Sequence, residues 1–438
     1  MKFTKMSLVA ALLVGSSAFA IDNIKMSGDA SVFYSTSDAK TGYAAISGKE
    51  DLFGKDNSAA DAGLNLNISA DLAKNDLVTV STGAGYTVLS TLGLENNLVS
   101  NVWGSAHTAT TATGANYANV GTYGGAKVEN ANWMNEAWVA VSLNKISNTT
   151  VKLGRMELDT PLAFTEKWSI EKNTFEAAVL VNQDVPDTTI VAAYVGNGNG
   201  NEAFGDNGAK QSNVQALGLA TGAVVNGNGD FSTFAANGAY TVGVVNNSFK
   251  PVTLQAWYYD LVSLATAYWL QADLDASTLG VDGLTAGLQY TSTKVGNGCS
   301  SDTTAVMVGY AMKNMFSAKL AYSVTSEDDG LFGANTATST GASKLYTEAW
   351  WNYGQVTMRD TTAYHFDVEG NVADVDLGFY YTYADHAKEV SSQDLTEFAL
   401  TASKSFGPLD TTLAYINYDL GKNTDSVNMI QAYLTLNF

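Results

Sequence analysis

The sequence predicts an all-β fold, a single transmembrane antiparallel β-barrel of about 18 strands with long extracellular loops and short periplasmic turns. Three observations support it. Apolar and polar side chains alternate along most of the chain, no internal stretch is long and apolar enough for a helical span, and the gaps between alternating segments are long and short in turn. The last ten residues show the first most clearly. Ile430, Ala432, Leu434, Leu436 and Phe438 are apolar, Gln431, Thr435 and Asn437 between them are polar, and Tyr433 is amphipathic. A strand has two faces of period two, and about 10 tilted residues cross a bilayer.

The N-terminus is a separate element. Met1-Lys2-Phe3-Thr4-Lys5, an apolar run from Met6 to Gly15, and Ala18-Phe19-Ala20 form the basic start, greasy middle and small-residue end of a secretory signal peptide. Residues 1–20 are expected to be removed, leaving 21–438 as one barrel domain. The greasiest later stretch, Leu261 to Leu270, is bounded by Asp260 and Asp273 and is too short for a helix that spans. In lipid, where the backbone finds no external hydrogen-bond partner, only a closed barrel remains.

Alternating segments are expected near 24–36, 61–72, 77–88, 134–144, 148–155, 173–182, 187–195, 234–245, 251–259, 262–274, 283–293, 303–311, 316–325, 361–369, 373–384, 393–405, 409–420 and 427–438. Leu64, Leu66, Ile68, Ala70 and Leu72 against Asn65, Asn67, Ser69 and Asp71 is typical. Residues 345–355 read as a further candidate, but single-chain bacterial barrels have an even strand number, so they are assigned to the seventh outside loop. The links 37–60, 89–133, 196–233 and 326–360 are long, whereas 73–76, 183–186, 312–315 and 406–408 are short. The alternation is loose near Asp260, where an outside link is very short. Pro186, Pro251 and Pro408 sit at strand edges or turns, where a missing N–H breaks no ladder. A soluble β-sandwich also alternates, but one sandwich core does not usually take 438 residues, and here the apolar faces often end in Tyr or Phe, like an aromatic girdle.

Composition narrows function. The formal charge is −20, and −22 without the leader's two lysines, which disfavours nucleic acid as a partner. Cys299 is the single cysteine, so there is no intrachain disulfide and no cysteine-rich metal site. The inward acids Asp29, Asp71, Asp374, Asp376 and Glu397 suggest a lumen that prefers cations.

The segment after the fifth strand differs from the other long links, which are rich in Gly, Asn, Thr and Ala. It is short on glycine and dense in both charge signs. Gly154-Arg155, Leu158-Asp159-Thr160-Pro161-Leu162, Asn173-Thr174-Phe175-Glu176-Ala177 and Pro186-Asp187-Thr188-Thr189 resemble the porins of campylobacters and their relatives, the group of the campylobacter major outer membrane protein. That group is distantly similar to the OprD-type channels of pseudomonads. The resemblance implies an eighteen-stranded barrel, usually a homotrimer in the bacterial outer membrane, with the third loop (156–172) folded into the lumen.

A barrel this wide needs narrowing, and the candidate constriction residues are Arg155, Lys167 and Lys172 as cations and Glu157, Asp159, Glu166 and Glu171 as anions. Facing each other across the gap, they would make a field that orients dipolar solutes; paired, they would only hold the loop. Trp350 and Trp351 in the seventh loop either line the pore mouth or pack against the wall.

Other signals are weak. Gly196-Asn197-Gly198-Asn199-Gly200-Asn201 lacks the Gly-Lys-Ser/Thr of a phosphate loop. His365 and Asp367 are too few to bind a metal and read as wall residues. Ser326-Glu327-Asp328-Asp329-Gly330 lacks full calcium-loop spacing, so loosely bound calcium is the most it offers. No Ser/His/Asp set can be assembled and no cofactor is expected. The expected function is therefore a non-enzymatic channel for passive diffusion of small hydrophilic solutes and ions. A surface adhesin anchored by its barrel is the alternative, and an outer-membrane lipase would need a nucleophile on a wall that reads as apolar.

Overall fold

The computed structural model describes residues 21–38, 51–53, 58–90, 109–110, 127–128, 131–167, 170, 172–199, 231–235, 237–296, 300–313, 315–327, 333–336, 342–387, 394–421 and 425–438. Residues 1–20, where a leader is expected, and Glu171, Cys299 and Asp328 to Gly330 lie outside them.

Eighteen strands follow one another around a ring. They are β1 (Asp22–Ser37), β2 (Ser58–Lys74), β3 (Val78–Ser90), β4 (Ala131–Leu143), β5 (Thr149–Met156), β6 (Phe175–Asn182), β7 (Thr188–Gly198), β8 (Ala239–Asn246) and β9 (Val252–Leu261). The second half is β10 (Ala265–Asp275), β11 (Leu284–Val295), β12 (Ser300–Met312), β13 (Phe316–Thr325), β14 (Thr361–Val372), β15 (Val375–His386), β16 (Leu395–Phe406), β17 (Leu409–Asp419) and β18 (Val427–Asn437). Each pairs antiparallel with the next, and β18 closes on β1 from Asp29↔Asn437 to Ser37↔Met429. The alternating segments correspond to these strands one for one, and 345–355 forms no strand. Two-residue pairings also occur at 109–110 with 127–128, and at 232–233 with the end of β7.

The loop–turn alternation has one inversion. The fifth and sixth loop-end links, 262–264 and 296–299, are shorter than the turn 276–283 between them. That turn holds a 3-10 helix (Ala276–Leu279), started by the Asp275 carboxylate and stopped by Gly280 in the left-handed region. At the two-residue turn 373–374, Ala373 and Asp374 both have positive φ, matching the strand twist. Asp374 is therefore a turn residue and not a lumen wall acid.

The wall is two-faced. Outward residues are apolar yet open, with Leu288 at 50 %, Leu320 at 57 % and Leu413 at 60 % exposure, while inward Gln289 and Gln431 are covered. An apolar belt running right around a closed ring is a lipid-facing surface. Outward tyrosines pair near the loop end, Tyr194 with Tyr240 at 4.9 Å, Tyr258 with Tyr268 at 5.2 Å and Tyr322 with Tyr364 at 5.2 Å, as rings at a membrane interface do. No helix among the described residues is long and apolar enough to cross a membrane.

A cation placed at mid-wall tests this. Leu288→Arg is expected to cost about 2–4 kcal/mol in denaturant unfolding from phospholipid vesicles, as a charge at the bilayer midplane does; a change within about 0.5 kcal/mol would mean that Leu288 faces water.

Candidate functional site

Among the described residues, the third and seventh outside loops meet inside the ring. The third (L3, 157–174) follows Met156, which is buried with Phe175 and Phe234. Asp159 and Phe164 form a bridge that makes a small hairpin, with Pro161 near its tip. Thr160 closes it by donating its hydroxyl to the Ala163 carbonyl at 2.7 Å. The tip reaches β9, where the Leu162 N–H donates to Tyr259 Oη at 3.4 Å. The return leg passes β2, whose Asn65 Nδ2 donates to the Ile170 carbonyl at 3.1 Å. L3 thus reaches strands well apart on the ring.

The seventh loop (L7, 326–360) meets it. Asn335 receives the Phe164 N–H at 3.2 Å and donates to the Phe164 carbonyl at 3.0 Å and to Glu166 Oε1 at 2.8 Å. Thr336 donates its N–H and hydroxyl to the Leu162 carbonyl at 2.9 and 2.7 Å. L7 is also tied to the wall. Gln289 on β11 donates to the Lys344 carbonyl at 2.9 Å and accepts the Tyr346 N–H at 3.0 Å, and Tyr346 Oη donates to Asp273 on β10 at 2.5 Å. On β16, Glu397 accepts the Trp351 and Asn352 N–H groups, both at 2.8 Å. Glu397 is thus an anchor covered by L7, at 1 % exposure, rather than an open lumen acid.

Glu348 organises L7 from within. It accepts N–H groups from Ser343 at 2.7 Å, Ala349 at 3.0 Å and Gly354 at 3.1 Å. Burial nonetheless dominates and pushes its carboxyl up from 4.5 to about 7.

The candidate residues separate into groups. Arg155 faces away from the lumen. The register pairs it with Ala137, on the outward face of Leu153, while Gly154 pairs with inward Trp138. There it donates to Glu176 Oε1 at 2.9 Å and lies 3.9 Å from the Phe231 ring centroid. Gly154 is required because a Cβ would come within 2.2 Å of the Ala137 carbonyl, and its φ is +123°.

Glu157, Lys167 and Lys172 form one inward network with Glu136. Lys172 bridges Glu136 at 2.5 Å and Glu157, and Lys167 also pairs with Glu157. Burial pushes the Glu157 carboxyl up, but Lys172 and Lys167 outweigh it and hold it below the usual range. Burial likewise pulls Lys172 down, and Glu157 and Glu136 override it to leave the ammonium raised.

Asp159 pairs with Lys344 of L7, a partner absent from the sequence-based set, while Glu166 is buried beside Asn335. Trp350 lies 6.3 Å from Tyr380 on β15, and both Trp350 and Trp351 pack against the buried wall cluster. His365 on β14 sits between Thr382 at 2.9 Å and Asp367 at 3.0 Å, with Lys319 on Asp367 at 2.8 Å. Thr382 is 1 % exposed, so this chain of polar groups offers no accessible nucleophile. Among the described residues no group of three or more His, Cys, Asp or Glu is arranged to hold a metal ion.

No protein-family model matches the chain, and no curated protein matches it either. Solved structures do. OpdK of Pseudomonas aeruginosa, determined with vanillate, superposes with a TM-score of 0.67 at 13% identity, over 95% of this chain and 98% of that one. OccK9 (OpdG) of the same organism gives 0.69 at 12%, over 95% and 99%. OccAB1 of Acinetobacter baumannii gives 0.68 at 13%, over 97% and 98%. The chain therefore has the fold of the OprD/Occ-type porins.

The raised Glu348 value fixes a pH dependence. Its folded value lies above its free value, so it strengthens L7 docking fully below 4.5, and that strength is lost as pH rises to about 7. Proteolytic cleavage within L7 is expected to be slower at pH 5 than at pH 8. Glu348→Gln should flatten the difference, and an unchanged profile in that variant would exclude Glu348 as its source.

Proposed function

We propose that the chain is a channel of the bacterial outer membrane through which small hydrophilic solutes and ions diffuse passively, without catalysis. The observation that carries this is the meeting of L3 and L7 inside a closed, lipid-belted ring. The junction still leaves charged side chains in water, Asp159 at 88% and Lys167 at 56% exposure. Two pinned loops narrow a wide lumen while keeping part of it wet. The fold shared with OprD/Occ-type porins supports the same reading.

Selectivity follows from the inward charges. Among the described wall residues, the inward acids Asp29, Asp71, Glu136, Asp273, Asp367, Glu369, Asp376 and Asp410 outnumber the inward cations Lys25, Lys152 and Lys319. That excess favours cations. By β5, Lys152, Lys167 and Lys172 exceed Glu136 and Glu157 by one positive charge, and on β14 Asp367 and Glu369 exceed the neighbouring Lys319 by one negative charge, nine strands away in a ring of eighteen. Half a turn separates the two sets, which gives a transverse field for dipolar solutes. The homotrimer implied by the resemblance to campylobacter porins belongs to the same proposal.

Purified protein in a planar bilayer is expected to give stepwise conductance. Its reversal potential across a salt gradient should have the sign of cation preference, and full closure should take three steps. A protein that inserts and passes no ions or sugars would reject the channel and favour a barrel-anchored adhesin.

A further inference from the structure

L3 and L7 are rooted on opposite sides of the ring and meet through contacts of two kinds. The amide clasp of Asn335 and Thr336 on Phe164 and Leu162 is dry; Asn335 is 1 % exposed. The ion pair of Lys344 with Asp159 is wet, with side-chain exposures of 33% and 88%. Both partners are held in place. The Lys344 carbonyl is fixed by Gln289 at 2.9 Å, Leu345 after it is buried, and the ammonium lies 4.9 Å from the Phe164 ring centroid. Asp159 is fixed by its own bridge to Phe164.

Burial decides which charges can respond to a passing ion. Lys172 is only 13% exposed and shares Glu136 and Glu157, so separating it would strand a desolvated charge. An exposed pair is held weakly and exchanges its partners readily. Lys344 and Asp159 are thus one cation and one anion, from different loops, that can open without dismantling either loop.

We propose that Lys344 and Asp159 form an exchangeable ion pair that tunes the ion selectivity of the passage, with Lys344 as a specificity-determining residue. A cation in transit replaces Lys344 on Asp159, an anion replaces Asp159 on Lys344, and the pair re-forms behind it. Lys344 masks Asp159, the most exposed of the described acids of L3, and so limits the cation preference set by the wall. The proposal rests on the channel reading and refines it.

The test uses the full chain in planar bilayers and liposomes. It compares the parent with Lys344→Gln, Asp159→Asn and the double variant, each checked for a folded barrel by heat-modifiable gel migration. Lys145→Gln, at the exposed turn pair with Asp76, is the control. Lys344→Gln is expected to raise the cation-to-anion permeability ratio about twofold to fivefold and Asp159→Asn to lower it similarly, the size of effect that one charge a few ångström away in water produces. The double variant should return towards the parent, and Lys145→Gln should match the parent. Unchanged ratios in both single variants of a conducting protein would overturn this proposal alone. So would propanediol flux rising in step with ion flux, which would make the pair a mere tie between loops. A parent protein that conducts nothing would overturn the channel reading as well.

Discussion

The pairing of β1 with β18 is the constraint on which the rest depends. Each strand leaves N–H and C=O groups on both edges, and lipid supplies partners for none of them. A ring open at this seam would expose two edges at membrane depth. The seam is continuous over nine register pairs and locked at its end by reciprocal bonds between Gly28 and Phe438 of 2.8 and 2.9 Å. Gly28 is needed there because a Cβ would meet the Asn65 carbonyl at 2.4 Å and the Phe438 ring at 2.7 Å. Once closed, the ring has an inside, and the two loops have somewhere to meet.

The ring was legible in the sequence because its cause is local. A lipid face and a wet face force period two on each strand, so Leu66 and Ile68 open to lipid while Asn65 turns inward. The loops were only half legible. L3 stood out through its charge density, but the clasp is made by Asn335 and Thr336, from a stretch with the Gly/Asn/Thr/Ala composition of the other long links. Nothing local in such a stretch tells whether it folds inward; that is set by partners on β10, β11 and β16. Arg155 shows a different failure. It was read as the strand end bordering the constriction, but the register decides its face and turns it outward. Glu397 failed because a sequence gives a wall acid no sign that a loop's backbone will cover it.

Charge within the site is used in two ways that burial separates. The network of Glu136, Glu157 and Lys172 and the anchors Glu348 and Glu397 are covered, hydrogen-bonded and structural. Among the described charges where L3 and L7 meet, Asp159, Lys344 and Lys167 remain in water and add to the charge that the wall presents to a passing ion. Net charge alone does not describe such a lumen, because the acids that anchor loops are withdrawn from it.

The central claim is a wall with one oily and one wet face, and adjacent residues on β16 test it. With Cys299 replaced by serine, Leu400→Cys and Thr401→Cys are each reconstituted in vesicles and offered a membrane-confined or a water-soluble maleimide. Leu400 points outward at 46 % exposure, and Thr401 lines the inward cavity near Gly378 and Tyr380. The two-faced wall requires that position 400 react only with the membrane-confined reagent and position 401 only with the water-soluble one. Equal labelling of both positions by the water-soluble reagent would contradict it.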